Sequence, residues 1–440
     1  METVLIKALQ FILSLSILVI IHEWGHFLFA RLFKVRVEKF YLFFNPWFSL
    51  FKYKPKKSET EYGIGWVPLG GFVKISGMID ESMDKEALKQ PPQPWEFRTK
   101  PAGQRLLIMI GGVLMNFVLA FFIYAMMAFA WGEEYLPAGN VKMGFSYNEI
   151  FKEAGFENGD IPVSYDGISV EMVDVRSELF NLIEAKEVTV LRKGERVNIQ
   201  LPAGFNTKNL SEKTHINYRY PFVIEKVNGG APASKAGLES GDSITGVNGV
   251  VDMATEEIIA ALTENKEKEV TLHLYRRGQA LDVLVTPNEF GKIGVVSRSP
   301  YAIYETVKKH YGFFAAFPAG IRMGVEIVQA YLKSLKYIFT KEGAQSIGGF
   351  GTIAGIFPEQ WNWAAFWSMT AFLSIILGVM NLLPIPALDG GHVMFLLYEV
   401  VSGRKPNDKF LEYAQIFGMI LLLALLVYAN GMDIFRAFFQ

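Results

Sequence analysis

Apolar residues in this chain gather into four long runs separated by stretches of mixed polarity. Leu106–Trp131 and Trp361–Leu383 contain no charged residue, and Ile416–Tyr428 is apolar throughout. Ala8–Phe33 is largely apolar, and its charged residues are Arg31 and the Glu23 of the cluster His22-Glu23-Trp24-Gly25-His26 in its second half. A bilayer core takes roughly 20 apolar residues per helix, so the pattern predicts four transmembrane helices. The first run does not read as a cleaved leader, because charges interrupt it and no small-residue cleavage site follows. Lysine and arginine set the orientation. Arg31, Lys34, Arg36 and Lys39 follow the first run, Arg98, Lys100 and Arg105 precede the second, and Arg404, Lys405 and Lys409 separate the last two. These loops are expected on the cytoplasmic side. The segment from about 132 to 360 and both termini are then expected outside.

The outer segment repeats itself. EAGFENGDIPVSYDGISV begins at Glu153 and KAGLESGDSITGVNGVVD at Lys235, 82 residues later. Each copy predicts a helix end, a Gly-Asp pair, a strand and an Asp-Gly or Asn-Gly turn. A helix-period stretch follows (Asp174–Ala185; Ala254–Asn265), then two strands joined by a basic turn (Leu191–Glu195; Tyr275–Gln279). The pattern resembles PDZ domains, more closely in the second copy, where Ala231-Pro232-Ala233 leads to Gly237-Leu238 and Gly241-Asp242. Such domains can bind an extended peptide as an added strand. They can equally serve as spacers that limit access. Between Tyr301 and Phe339 apolar residues recur at helical spacing among lysines and an arginine. These are expected to be amphipathic helices lying on the outer membrane face, or packed on the second PDZ-like copy.

Composition narrows the chemistry. The 440 residues carry 43 basic and 44 acidic side chains, a net charge of −1, which argues against a nucleic-acid partner. There is no cysteine, so disulfides, iron–sulfur clusters, thiolate zinc sites and cysteine nucleophiles are excluded. With six histidines, a histidine-rich di-iron site is not expected. Any metal must be held by His, Asp or Glu.

His22 and His26 stand four residues apart, on one face of a helix, where both imidazoles can reach one ion. Glu23 falls beside that ion and can take a proton from water. Ionisable side chains within a span are costly and usually functional. Zinc suits two imidazoles, a carboxylate and a water. A third ligand is offered by Asn381-Leu-Leu-Pro-Ile-Pro-Ala-Leu-Asp389-Gly-Gly-His392, where two prolines break the third span. Asp389 and His392 are both candidates. His215, His273 and His310 lie in the outer segment and are expected to be unrelated.

Taken together, H-E-x-x-H in the first span, N-x-x-P-x-P-x-L-D-G in the third and PDZ-like sequence between the second and third resemble the site-2 protease family of intramembrane zinc metalloproteases. The resemblance covers essentially the whole chain. It implies a polytopic α-helical membrane protein with four transmembrane helices, a membrane-associated β-hairpin loop and two inserted PDZ-like α/β domains. It implies His22, His26 and Asp389 as ligands of Zn2+ and Glu23 as catalytic base. Gly63–Gly77 resembles the family's β-loop, with Phe72 where tyrosine is expected, and Gly112-x-x-x-Asn116 resembles a second-span signature, with Val113 where proline is usual. Close helix packing is the reading preferred here for Gly112. Gly70, Gly71, Phe72, Val73 and Lys74 are expected to take an unwound substrate as an added strand, and Asn381 to hold one of its peptide groups. The expected layout is a first span over 1–33, a cytoplasmic loop over 34–104 with the β-loop at about 61–78, and a second span over 105–131. PDZ-like domains follow at 137–205 and 218–297, amphipathic helices at 300–342, a third span at 361–392 and a fourth at 410–430. Expected partners are membrane lipid, possible peptide ligands of the PDZ domains and single-pass substrates already trimmed by another protease, of the anti-sigma-factor or remnant-signal-peptide type. The expected location is a bacterial inner membrane. Two other readings are a non-catalytic PDZ scaffold, in which Glu23→Gln changes nothing, and a metal transporter using the same ligands, in which Glu23 has no purpose.

Overall fold

The computed structural model describes residues 2–68, 70–78, 90–170, 178–205, 216–336 and 348–439. Leu69 of the expected β-loop, the first residues of the helical stretch from Asp174, His215 and the end of the segment running to 342 lie outside them. The chain forms two units, one of residues 1–132 with 310–440 and one of residues 133–309.

In the first unit, helices α1 (Glu2–Leu32) and α2 (Ala102–Ala130) cross at glycines. A Cβ on Gly25 would fall 2.2 Å from the Gly111 carbonyl oxygen, which explains the glycine inside the H-E-W-G-H cluster. Between these helices lie four strands, β1 (Val37–Leu42), β2 (Phe51–Tyr53), β3 (Glu61–Ile64) and β4 (Phe72–Ile75), in the order β2-β3-β1-β4. β3 and β4 do not pair as the expected hairpin. Both pair with β1, β3 in parallel and β4 antiparallel, so β1 separates them. The run Val37-Glu-Lys-Phe-Tyr-Leu42 carries no clear period-2 alternation, its partners are distant in sequence and no turn signal marks them. β4 is left as an edge strand against α1.

Helix α3 (Phe313–Leu335) packs along α2. Ala316, Ala319, Gly320 and Gly324 form its buried stripe. A Cβ on Gly320 would sit 2.2 Å from Ala125 N, and one on Gly324 2.3 Å from the Phe121 ring. Small residues at this spacing let two backbones close together. The other face carries the exposed Arg322–Glu326 pair, 3.3 Å apart, and this contrast gave the sequence its amphipathic look. A short helix α4 (Phe350–Gly355) is tied to the end of the last helix by Asn430 and Asp433, which accept from Phe350 N and Thr352 N.

Helix α5 (Trp363–Leu382) begins at Asn362, whose side chain accepts from Ala365 N, and ends where Pro384 and Pro386 remove donors. The chain turns through Ala387, at φ 75°, and resumes as α6 (Asp389–Ser402), which packs on α2. A Cβ on Gly390 would meet the Leu383 carbonyl oxygen at 2.0 Å, so the turn folds back on the start of α6. Gly403, at φ 68°, ends α6, and α7 (Asp408–Phe439) follows. Among the described residues, α1, α2, α5 and α7 are the four helices long and apolar enough to cross a membrane, and the chain is a multi-pass membrane protein.

In the second unit, β5 (Glu133–Tyr135) and β17 (Val307–Lys309) pair at the unit's two ends. The first copy of the repeat contains β6 (Phe145–Tyr147), β7 (Ile161–Tyr165), β8 (Ile168–Ser169), β9 (Glu187–Arg192), β10 (Glu195–Gln200) and β11 (Ile216–Tyr218). They form a sheet β10-β9-β7-β8 and a ribbon β11-β6. The second contains β12 (Phe222–Val227), β13 (Ser243–Val247), β14 (Val270–Arg276), β15 (Gln279–Val285) and β16 (Val295–Ser297), in the order β15-β14-β13-β12-β16. Helices over Glu178–Glu184 and Thr255–Glu264 accompany the two copies, and each copy has its own apolar core. The repeated Gly-Asp pair has a shared physical cause. Buried Asp160 accepts from Glu157 N and from Arg192, which also donates to the Gly155 carbonyl. Asp242, Glu239, Arg276 and Gly237 make the same set of bonds. The aspartate thus holds the turn before the strand, and the arginine locks that turn to the basic hairpin.

Candidate metal centre

Helical periodicity brings the rings of His22 and His26 together, with centroids 4.9 Å apart. Their Nε2 atoms are 3.3 Å apart, and Asp389 Oδ2 lies 3.2 Å from each. The aspartate reaches them from the first residue of α6, immediately after the proline-broken turn. Three such atoms, all largely buried, form the one group of metal-competent side chains found among the described residues. The spacing can be tested against a cation. Bonds of about 2.0–2.1 Å in tetrahedral geometry separate neighbouring ligand atoms by about 3.3–3.4 Å, close to the triangle seen. Asp389 Oδ2 is buried and has no hydrogen-bond donor, as fits an oxygen meant for a metal. His26 Nδ1 lies 2.9 Å from the Ile108 carbonyl oxygen. That acceptor places the ring proton on Nδ1 and leaves the Nε2 lone pair facing the triangle. The residues therefore fit a metal ion.

A cavity of about 500 Å³ opens beside the triangle, lined by all of Gly70, Gly71, Phe72, Val73 and Lys74 on one side and by Asn381 on another. Glu23 faces the same cavity, beside Val73. A Cβ on Gly71 would lie 2.6 Å from both the Tyr41 carbonyl oxygen and a Val19 methyl, so this strand and α1 approach as closely as glycine permits. The Phe72 ring stacks between Tyr41 and Phe44, at centroid distances of 5.2 and 6.3 Å. Lys74 Nζ is 3.3 Å from Glu38 Oε2. Asn381 Nδ2 is 3.4 Å from His22 Nε2, on the rim of the triangle. His392 is not part of it, and its Nε2 lies 2.8 Å from Gln415 Nε2 on α7. His273 pairs with Asp282 on the neighbouring strand at 2.7 Å, and His310 is exposed.

Three residues of α2 take places that the sequence pattern alone does not show. Gly112 does pack helices, but a Cβ there would fall 2.4 Å from His26 Nε2 and 2.8 Å from His22 Cε1, so it clears space for both imidazoles. Asn116, one turn on, has its amide nitrogen 3.1 Å from His22 Nδ1. The G-x-x-x-N spacing was the available signal. Arg105 bonds Glu399 at 2.5 Å and joins α2 to α6. No local pattern announces that pair, because its partners are 294 residues apart.

A membrane-embedded helical bundle with H-E-x-x-H on one helix and an aspartate from a broken second helix defines an intramembrane metalloprotease. Comparison with known proteins supports that class: the profile of peptidase family M50 matches residues 10–425. The chain is 30% identical to the regulator of sigma-E protease RseP of Escherichia coli, over 98% of this chain and 97% of that one. It is 29% identical to a putative zinc metalloprotease of Neisseria meningitidis, over 97% and 98%, and 26% identical to one of Vibrio cholerae, over 99% and 100%. The chain belongs to peptidase family M50 and is a zinc metalloprotease of the site-2 type.

Proposed function

We propose that the protein hydrolyses a peptide bond within the transmembrane segment of single-pass proteins whose outer domain has already been removed. Anti-sigma factors, in keeping with relatives named as regulators of sigma-E, and remnant signal peptides are the substrate types in view. The observation that carries the reading is the convergence of a His22–His26–Asp389 triangle, Glu23 and an edge strand on one cavity. Zinc, held by those three side chains, would supply a Lewis acid and make water nucleophilic near neutral pH.

The remaining steps belong to this chain's residues. A helical substrate shields its own peptide bonds and must be unwound first. β4 pairs with β1 on one side alone, so its other edge offers backbone groups for a substrate strand. Asn381 holds a peptide group on the rim. Glu23 takes a proton from the attacking water and passes it to the leaving amine. The basic loops support a reading with this chemistry toward the cytoplasm and the PDZ-like insert outside, and the likeness to bacterial relatives supports an inner membrane. There the insert works as a filter against substrates with bulky outer domains.

The deciding experiment co-expresses a single-pass reporter, lacking its outer domain, with wild type or with Glu23→Gln. A fragment formed by wild type alone supports both the reaction and the base. Equal fragments from both would sink the assignment, and a signal from neither with a panel of reporters would favour the scaffold reading.

A further inference from the structure

We infer that Asn116 is a positioning residue that fixes the tautomer and ring orientation of His22 by accepting its Nδ1–H through the amide oxygen. The inference rests on the metal-centre reading above. His22 offers Nε2 to the triangle, 3.3 Å from His26 Nε2 and 3.2 Å from Asp389 Oδ2. An imidazole that gives Nε2 to a cation carries its proton on Nδ1. That Nδ1 faces the side chain of Asn116, which is fully buried on α2.

As placed, the amide turns Nδ2 toward Nδ1, at 3.1 Å, and leaves Oδ1 buried with no donor. Both features point the same way. An NH2 group against a ring nitrogen that must itself carry hydrogen is a clash of two donors. The two ends of an amide are nearly the same size, so which end is N and which is O follows from the bonds they can make. Turning the amide over gives Nδ1–H an acceptor and gives Oδ1 a donor. The position of Asn116 is itself well held, because its own carbonyl accepts from Ser374 Oγ on α5 at 2.8 Å. His26 has the matching arrangement through a backbone group, the Ile108 carbonyl, on the same helix. α2 thus presents one acceptor to each histidine, and Gly112 lies between them with no side chain to crowd the rings. The G-x-x-x-N motif then has a stated purpose: space at Gly112 and an acceptor one turn later.

The test measures zinc affinity of the full-length protein in detergent by competition with a chromophoric chelator, alongside the melting temperature in excess chelator. Asn116→Leu keeps the volume and removes the acceptor. It should weaken zinc binding about 10- to 100-fold, with the chelated melting temperature reporting separately on folding. Asn116→Asp keeps an acceptor and should hold zinc within a few-fold of wild type. Wild-type affinity in Asn116→Leu would overturn the inference, as would an equal loss in Asn116→Asp. His22→Ala separates this from the metal reading itself: zinc binding that survives His22→Ala would refute the metal centre, whereas its loss beside a normal Asn116→Leu would refute Asn116 alone.

Discussion

Asp242 shows what one buried carboxylate does in this chain. Burial alone would raise its carboxyl, but hydrogen bonds from Arg276 and Glu239 N, with the arginine's charge, outweigh it and hold the group below the ordinary carboxylate range. A depressed folded value means the aspartate stabilises the fold fully above about pH 4, its unfolded value. That contribution is lost as pH falls through the lower, folded value. Asp242→Asn should therefore cost about 2 kcal/mol near neutrality, read as a lowered melting temperature. The gap to wild type should close as the pH is taken from 7 toward 2.5. A gap that stays constant with pH would assign the stabilisation to shape rather than charge. The Gly-Asp pair was legible in the sequence as a repeat, and its arginine partner was visible only as part of a basic turn. The same division runs through the metal centre. His22, Glu23 and His26 are local, so helical spacing alone places them. Asp389 is local to its own broken turn, and its meeting with the histidines depends on α2 and α6 packing side by side.

Elements were legible where their partners were near. Each long apolar run became a helix, and the proline-broken turn fell where Pro384 and Pro386 stand. The sheet was not legible in its order. β1 pairs with β3 and β4 across loops of different length, and its parallel pairing to β3 has no turn signal to announce it. α3 was legible as a helix but not in its placement, since a small-residue stripe suits a neighbouring helix as well as a membrane face. These corrections sharpen the reading of β4. A strand whose inner edge is taken by β1 can accept a substrate on its outer edge alone. Proline at position 72 would disturb that ladder. Cleavage should fall roughly tenfold or more, as the loss of about 1.4 kcal/mol of strand pairing implies, while bound zinc measured on the purified protein stays at the wild-type ratio. Unchanged cleavage would remove strand addition from the mechanism. Loss of zinc along with cleavage would show that β4 supports the metal centre rather than the substrate.

For the whole molecule, the question is what 177 residues of insert (133–309) contribute to a reaction whose groups all lie in the other unit. The insert is built as a separable body. It has its own cores, and its ends are stitched together, Glu133 opposite Lys309 and Tyr135 opposite Val307. Adjacent ends let such a domain be removed without pulling its host apart. Deleting residues 137–297 leaves both strands of that ribbon, with a short connection to join them. If the insert filters substrates, the deletion should keep activity on a reporter with a trimmed outer domain and gain activity on one whose outer domain is intact. Both reporters share the same transmembrane segment, so the change is read as a ratio in which expression level cancels. If the intact reporter is still refused while the trimmed one is cut, selection lies in the membrane unit. If instead the trimmed reporter is lost as well, the insert helps to bring substrate in, and a peptide grip by the exposed strand edges becomes the better account of why the chain carries two copies.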